Sequence, residues 1–313
     1  MAKKIIAVTG ATGAQGGGLV RALLADGTFA VRALTRKVEG DKAKALAKLG
    51  AEVVAADLDD SASLAGAFRG AHGAYCVTSF WEHFSPEKEQ AQVGAMARAA
   101  KESGVAHVVW STLEDTRRWV PLSDNRMPTL QGKYKVPHFD GKGEANKSFI
   151  DAGVPTTLFH TSFYWDNLIH FGMGPKKGPD GRLAFTLPMA DKKLPGIAAE
   201  DIGRCALGVF KGGNEFIGKS IGVAGEHPTG AQMAAELSKA LGREVVYNAV
   251  TPAAYRGFGF PGAEDLGNMF QFKQEFERDF CGLRDLGLSR RLNPQLQTFA
   301  QWLAANKDRI ALS

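Results

Sequence analysis

His138 and Lys142 stand four residues apart in the stretch HFDGKGEANK, and side chains of these types can move protons and bind hydroxyl groups. A histidine titrates near neutral pH, which makes His138 a possible proton donor. The positive charge of Lys142 would favour the neutral imidazole, which is a poorer acid. His138 and Lys142 are therefore candidate catalytic residues, although for His138 we favour an ordinary role as a polar residue that begins a helix.

The stretch VTGATGAQGG follows the first apolar strand and opens the first predicted helix, with Gly10, Gly13 and Gly16 in the spacing G-x-x-G-x-x-G. Side chains at these positions would keep the backbone away from a pyrophosphate at the helix N-terminus. The motif lies on a strand-turn-helix junction at the start of a repeating β/α series, which favours a dinucleotide-binding loop over an ordinary glycine-rich turn. Thr12 and Gln15, in the same loop, are further predicted cofactor contacts.

The residues that end the second predicted strand choose between the nicotinamide cofactors. An NAD site places Asp or Glu there for the ribose 2′-hydroxyl, whereas this chain has Arg36 and Lys37. A guanidinium can bind a 2′-phosphate through two hydrogen bonds, and an acid would repel it. We therefore predict NADP(H), with two solvated cations as the alternative interpretation. Asp57 and Leu58, after the third strand, should contact the adenine, and Thr78, after the fourth strand, should contact the inner ribose.

The first half of the chain alternates short apolar strands with helical patterns, from KIIAVTG to HVVWSTL. Strands rich in β-branched residues and separated by helices predict a parallel sheet with helices on both faces. After about Thr161 the alternation breaks into turns, a short strand and several helices. We predict an α/β fold, a Rossmann-type doubly wound parallel sheet with a smaller C-terminal α+β lobe. Residues 1–160 would form the NADP(H)-binding domain, and residues 161–313 the lobe that forms the cleft, with some segments returning to the sheet.

The composition of the 313 residues is that of an ordinary globular protein, with 44% hydrophobic and 23% charged residues. The net charge of +5 comes from 38 basic and 33 acidic residues, and the basic pairs are dispersed, which argues against a nucleic-acid partner. No apolar run reaches the ~18 residues needed to span a bilayer, and the first strand leaves no room for a signal peptide. We expect a cytoplasmic protein without a membrane partner.

Cysteine and histidine spacings do not indicate a metal site. Cys76, Cys205 and Cys281 are far apart in the chain and offer neither a disulfide framework nor metal-ligand spacing. His160 and His170 lack a matching ligand pattern. We predict reduced cysteines and no metal.

Four stretches, VTGATGAQGG, TRK, HFDGKGE and FYWDN at 163–167, resemble the NmrA-like family of atypical short-chain dehydrogenase/reductase relatives. The stretches GTFAVRALTR and FPGAEDLGNMF look most like the NADPH-sensor members of that family. The resemblance implies a Rossmann fold with bound NADP(H). It also implies a regulatory role, in which cofactor occupancy changes the association with a protein partner or a homodimer. Other members reduce quinones or triarylmethane dyes.

The resemblance also shows a departure from the full enzymes, in which a serine, a tyrosine and a lysine share the proton chemistry. By this resemblance Ser111, at the end of the predicted strand HVVWSTL, is a candidate catalytic residue that would position a substrate carbonyl, and Lys142 matches the lysine position. His138 stands where the tyrosine belongs, and Pro137 separates Tyr134 from that helix. Loss of a positioned general acid typically costs ~10²–10⁴-fold. This argues against ketone and alcohol chemistry more than against quinones or dyes, which take hydride readily.

Lys142 would then hold the nicotinamide ribose, and Phe163 could cover the nicotinamide face. The expected function is an NADP(H)-binding redox sensor or regulator, and the alternative is an NADPH-dependent reductase of quinone-like or dye-like acceptors. Whether the chain is an enzyme stays open at this point.

Overall fold

Twelve strands occur in the part of the chain that the computed structural model describes, residues 2–178 and 180–312. They are β1 (Ile5–Val8), β2 (Ala30–Thr35), β3 (Glu52–Ala55), β4 (Gly73–Cys76), β5 (His107–Thr112), β6 (Thr156–His160), β7 (Phe163–Tyr164), β8 (Lys176–Lys177), β9 (Leu183–Leu187), β10 (Gly196–Ile197), β11 (Ser220–Gly222) and β12 (Val245–Ala249). Seven of them form one parallel sheet in the order β11, β6, β5, β4, β1, β2, β3. The strand order reverses beside β1, so a cleft forms at the carboxyl ends of β1 and β4.

Helices connect these strands and cover the sheet. They are α1 (Ala14–Asp26), α2 (Asp41–Lys48), α3 (Ser61–Phe68), α4 (Pro86–Glu102), α5 (Pro137–Asp151), α6 (Asn167–His170), α7 (Ala199–Gly212), α8 (Gly230–Leu241), α9 (Pro252–Arg256), α10 (Ala263–Glu275), α11 (Glu277–Leu283), α12 (Leu286–Leu292) and α13 (Phe299–Asn306). Short 3₁₀ turns cover Phe80–Glu82, Thr116–Arg118, Gly213–Glu215 and Lys307–Arg309. The first helix ends as its sequence predicts, because Gly27 adopts the left-handed conformation with φ 73° and donates to the carbonyl of Leu23.

Side-chain alternation along the central strands supplies a core to each face of the sheet. In β1, Ile6 and Val8 pack with α1 and α7 on one face, whereas Ala7 packs with α3, α4 and α5 on the other. A parallel sheet with both faces covered in this way confirms the predicted α/β fold class.

A third core lies in the C-terminal half, where β12, β9 and β8 form a small sheet and β10 pairs with β7. Its helices include α8, α10, α11 and α13, which contribute Leu237, Phe270, Phe280 and Trp302. Strand β11 belongs to this half of the chain and nevertheless pairs with β6 in the central sheet. Because the chain crosses between the two parts in this way, the predicted division at residue 160 stays a prediction.

Candidate functional site

A cavity of about 1310 Å³ opens at the carboxyl ends of the central strands. This exceeds the ~300–1,000 Å³ of ordinary small-molecule pockets, so it has room for a dinucleotide and a further ligand. Among the predicted site residues it is lined by Gly10, Thr12, Gly13, Gln15, Gly16, Arg36, Lys37, Asp57, Leu58, Thr78, His138, Lys142 and Phe163. Residues predicted from separate stretches of sequence therefore share one cavity wall.

The glycine loop has the shape that a pyrophosphate needs. Gly10 has φ 58°, a left-handed conformation that favours glycine. At Gly16 an added Cβ would lie 2.4 Å from the carbonyl oxygen of Gly10, so this glycine is required by the loop itself. Gly13 is exposed to the cavity, and no side chain caps the N-terminus of α1 that follows it. The free N–H groups of this helix end therefore fit a phosphate ligand.

Arg36 and Lys37 lie at the end of β2 on the cavity wall, as their sequence position predicts. The guanidinium of Arg36 forms an ion pair with Glu82 at 2.9 Å, and both side chains are largely exposed. Glu82 belongs to the 3₁₀ turn Phe80–Glu82 after β4, and no sequence pattern indicates this contact. A 2′-phosphate at Arg36 would therefore compete with the Glu82 carboxylate.

Lys142 has a partner that sequence reasoning missed. Its ammonium lies 2.5 Å from the hydroxyl of Thr78 and 2.9 Å from Glu89 Oε1, and it stands over the Trp110 ring at 5.0 Å. Glu89 is fully buried, and its other oxygen has no hydrogen-bond partner among the described residues. The available signal was an acid in the apolar stripe of α4, four residues before Val93. This arrangement fixes Lys142 beside Thr78, where both can face ribose hydroxyls.

His138 has a carboxylate partner of its own. Its Nδ1 lies 2.6 Å from Asp265 Oδ1, and its backbone N–H donates to Asp265 Oδ2 at 3.2 Å. The ring also packs against Trp81, with centroids 4.8 Å apart. Lys142 and His138 therefore each take a separate acidic partner, Glu89 and Asp265. His138 joins α5 to α10, which agrees with the structural role favoured from the sequence.

Ser111 does not line the cavity. Its hydroxyl donates to Gln15 Oε1 at 2.7 Å, and the same oxygen accepts from Tyr75 at 2.5 Å. Gln15 Nε2 in turn donates to the hydroxyl of Tyr164. The expectation that Ser111 presents its hydroxyl to a substrate is not matched by this geometry. Ser111 instead orients Gln15, whose backbone belongs to the phosphate loop.

Neither nearby tyrosine replaces the absent catalytic one. Burial raises the pKa of Tyr164 to about 12, and its hydroxyl is already bound to Gln15. Tyr134 donates to Glu87 at 2.9 Å and lies outside the cavity wall. The hydroxyls of these two tyrosines are therefore engaged by Gln15 and Glu87.

Beyond Lys142 the cavity widens into a space that we call the acceptor chamber, walled by Phe139, Phe163, Phe270, Phe280 and Lys273. These residues come from α5, β7, α10 and α11. The aromatic stretch at 261–280 contributes both to the core of the C-terminal half and to the cavity wall. Phe272 lies in the core, whereas Met269 and Phe270 also face the chamber. The rim carries the exposed rings of Phe84, Phe171, Phe258 and Phe260.

The described residues contain no cluster of three or more His, Cys, Asp or Glu side chains that could hold a metal ion. Within the same described residues, no helix is both long and apolar enough to cross a bilayer.

The parallel sheet, the glycine loop and the cleft at the strand ends define a dinucleotide-binding protein of Rossmann type. The model of the NmrA-like family matches residues 2–297, so the chain belongs to the NmrA-like family. This confirms the resemblance carried by the four sequence stretches.

Two curated relatives and one solved structure illustrate the family. The chain is 28% identical over 289 residues to the NmrA-like family domain-containing oxidoreductase FrzB of Cladobotryum sp, which covers 86% of this chain and 84% of the relative. It is 29% identical to an NAD(P)H azoreductase of Xenophilus azovorans, with 82% of each chain covered. NmrA, a negative transcriptional regulator solved in complex with NADP, superimposes with a TM-score of 0.78 at 25% identity, over 97% of this chain and 95% of NmrA.

Proposed function

We propose that this chain binds NADP(H) along the glycine loop and uses it to reduce a planar aromatic acceptor held in the acceptor chamber. The observation that carries this proposal is the continuity of the cavity from the phosphate loop, past Lys142, to the aromatic walls of Phe139 and Phe280. A protein that only binds a dinucleotide has no need of the chamber. An aromatic wall suits a flat ring because ring pairs add about 0.5–1.5 kcal/mol beyond area burial.

The residues of the cofactor half fit each part of NADP(H). The free N–H groups at the start of α1 bind the pyrophosphate, and Arg36 and Lys37 bind the 2′-phosphate. Asp57 and Leu58 lie at the adenine end, whereas Lys142 and Thr78 hold the inner ribose. When bound, the reduced nicotinamide supplies hydride, and Phe163 covers it from the chamber side. NmrA solved with NADP and the NAD(P)H azoreductase support this choice of cofactor.

The proton chemistry of the site favours acceptors that are reduced easily. The hydroxyl of Tyr164 is hydrogen-bonded to Gln15, and the ring of His138 is hydrogen-bonded to Asp265. Neither side chain is therefore free to donate a proton beside Lys142. A ketone needs a positioned acid during hydride transfer, whereas quinones and dyes depend on one far less. The name of the azoreductase relative also supports an easily reduced aromatic acceptor.

The test is NADPH consumption against quinones, azo dyes, triarylmethane dyes and simple ketones. We expect turnover with at least one quinone or dye and no appreciable turnover with ketones or secondary alcohols. The same panel with His138→Ala checks the structural role of His138. Strong alcohol oxidation that disappears in His138→Ala would make His138 the acid/base and overturn this assignment.

A second candidate function is a redox sensor, which is the function first expected from the sequence. The Arg36–Glu82 ion pair favours it. The turn that carries Glu82 packs through Trp81 on His138. An added Cβ at Gly262, just before α10, would lie only 2.9 Å from the same Trp81 ring. Displacement of Glu82 by a 2′-phosphate would therefore loosen a segment that touches both halves of the cleft. A ligand shifts an equilibrium only by its difference in affinity for the two states, and this exchange of partners supplies such a difference.

The segment 115–137 is positioned to report such a change. It connects the strand of Ser111 to the helix of Lys142, and Asn268 of α10 donates to the carbonyls of Pro128 and Lys135. For a sensor, NADPH should slow amide hydrogen exchange in this segment. It should also alter the formation of a homodimer or the binding of a protein partner. Exchange mass spectrometry and sedimentation, each with and without NADPH, measure both. Protection confined to the glycine loop, with unchanged association, would favour the reductase.

A further inference from the structure

Lys273 is a buried cation to which the described residues offer no hydrogen-bond acceptor. The residue is 3% exposed, and its Nζ has no hydrogen-bond or ion-pair partner among residues 2–178 and 180–312. Three rings surround it, with centroids 5.5 Å away for Phe139, 5.6 Å for Phe270 and 5.1 Å for Phe280. Ring faces attract a cation, but they do not replace the hydrogen bonds that an ammonium makes in water. A ligand oxygen at Nζ would supply what the protein does not.

The position of Lys273 in the cleft makes it accessible to such a ligand. It lines the cavity from α10, on the same helix face as Met269 and Asp265, at spacings of four and eight residues. Phe270, one of its three rings, lies 6.4 Å from Phe163, which faces the predicted nicotinamide position. Lys273 therefore points into the chamber beside the place where hydride would be delivered.

The charges around Lys273 favour an oxygen-bearing or anionic ligand. Arg284 and Glu114 form a buried ion pair at 2.5 Å behind the chamber wall, and Arg284 also stacks on Phe280 with its guanidinium carbon 3.5 Å from the ring centroid. His160 lies 4.0 Å from Glu114 on the far side of that pair. Counting Lys273, two cations face one carboxylate. A cationic dye would meet repulsion here, and a carbonyl or phenolate oxygen would meet attraction.

The same surroundings set the protonation of the lysine. Burial, and to a smaller extent the charge of Arg284, lower the pKa of Lys273 to about 7, and the nearby Glu114 carboxylate opposes this change. The ammonium and the neutral amine therefore coexist near neutral pH. A group with both forms available near the working pH is suited to donate a proton and then regain it.

We propose that Lys273 binds the carbonyl oxygen of a quinone-like aromatic acceptor and supplies the proton that this oxygen takes up on reduction. This rests on the proposed reductase function, in which reduced nicotinamide supplies the hydride. For a quinone, hydride adds to the acceptor, one N–H bond of Lys273 breaks and an O–H bond forms. The products are the hydroquinone, NADP⁺ and a neutral amine, which regains its proton from water. Lys273 thus protonates an oxygen that hydride transfer has already made negative, whereas a ketone would need the proton of a phenol during the transfer.

Ligand binding without turnover tests the site directly. Hydroxynaphthoate is a planar phenol carboxylate that cannot accept hydride readily, and its methyl ester lacks the negative charge. Calorimetry should show wild-type protein binding hydroxynaphthoate about 10- to 100-fold more tightly than Lys273→Met at about pH 6. The wild-type preference for the anion over its ester should fade as pH rises through about 7, and the variant should show no such trend. Lys239→Met, on the exposed face of α8, is the matched control and should behave as wild type.

Two results separate this inference from the proposed function. If Lys273→Met binds hydroxynaphthoate with wild-type affinity and pH dependence, the assignment of Lys273 is overturned, whatever the protein reduces. If the anion binds through Lys273 but no acceptor on the panel is reduced, the oxygen-binding role stands and both the proton-donating role and the reductase fall. NADPH affinity should be equal in wild type and Lys273→Met, because Lys273 belongs to the chamber wall and not to the phosphate loop.

Chemical labelling gives a second readout on the unmodified protein. With an aromatic aldehyde and a mild hydride reductant, Lys273 should be labelled near neutral pH, whereas exposed Lys239 should need alkaline pH. Hydroxynaphthoate should protect Lys273 from the label. Labelling of both lysines in parallel, without protection, would contradict the proposal.

Discussion

The two halves of the cleft are built in different ways. The cofactor half consists of strand ends and one short loop, and its main contribution is backbone, as at Gly13 and the free N-terminus of α1. The acceptor chamber consists of side chains that the fold collects from distant helices, including Phe139 of α5 and Lys273 of α10. Backbone geometry at a strand-turn-helix junction suits one ligand chemistry, the phosphate. Side chains assembled from separate elements can be varied one at a time, so in the proposed reductase this half sets the choice of acceptor.

The two halves also differ in whether their cationic side chains have acidic partners. Lys142 is paired with buried Glu89, and His138 with Asp265, whereas Lys273 has three rings and no acid of its own among the described residues. The paired groups are held in one place. Lys273 has no such acidic partner among the described residues, so a ligand can supply one.

The largest expected effect belongs to the phosphate loop. Gly13→Val would place a branched side chain on the cavity face, where an added Cβ already lies 3.2 Å from the carbonyl oxygen of Gly10. We expect NADPH affinity to fall by more than a thousandfold, roughly 4 kcal/mol, with the fold retained by circular dichroism. Gly66→Val is the control, because an added Cβ at exposed Gly66 meets nothing within 4 Å. A folded Gly13→Val protein with normal NADPH affinity would move the cofactor away from this loop.

In the chamber, Lys273→Met should make the protein more stable. Replacing a buried cation by an apolar side chain of similar length typically changes stability by about 0 to 4 kcal/mol in the favourable direction. The folded pKa is about 7 and lies below that of an unfolded lysine, so folding excludes a proton. The cost to the wild type is therefore full below about pH 7 and disappears above the unfolded pKa. Denaturant unfolding across pH measures this gain, and a gain that is absent at neutral pH would mean that Lys273 has a hidden partner.

The 2′-phosphate contact is the next expected effect in size. Arg36→Glu should weaken NADPH binding by ~1.5–3 kcal/mol, because a charge-assisted hydrogen bond is lost. NADH binding should change little, so the ratio of the two affinities is the quantity to measure. Arg290→Glu makes the same charge change at an exposed position outside the cavity. Equal affinity of the wild type for NADPH and NADH would refute the cofactor assignment.

The smallest expected effect concerns Glu82. Glu82→Gln removes the competitor of the 2′-phosphate at Arg36, and exposed ion pairs contribute about 0.2–1 kcal/mol. NADPH affinity should rise by this amount, and NADH affinity should not. If the substitution also removes NADPH-dependent exchange protection in the segment 115–137, the sensor gains support. An unchanged NADPH affinity would show that Glu82 does not guard the phosphate position.

The two halves of the cleft also differ in how far the sequence predicts them. The glycine loop and Arg36 lie within a single β/α/β stretch, so their spacing alone indicates their shared role. Lys142 lies on the cavity wall, and its expected contact with a ribose stays a prediction. Its partner Glu89 comes from another helix, and so does the Asp265 partner of His138. Such pairs depend on packing between elements, which a single sequence does not state.

Lys273 shows the limit most clearly. In sequence it is one polar residue inside the aromatic stretch NMFQFKQEF, and a lysine on an amphipathic helix is usually solvated. Only the folded chain brings Phe139 and Phe280 around it. Ser111 shows the opposite case, because its position at the end of β5 was predicted but Gln15 stands between it and the cavity.

Rapid mixing is the most direct test of the proposal that NADPH passes hydride to an acceptor bound in the same cleft. Wild-type protein in excess over NADPH is mixed with a naphthoquinone, and the absorbance of the reduced nicotinamide is followed through a single turnover. The proposed function predicts that the absorbance disappears, and that it does so at least about tenfold more slowly in Lys273→Met. Persistence of the absorbance in the wild type, with NADPH demonstrably bound, would contradict hydride transfer to a quinone and favour the redox sensor.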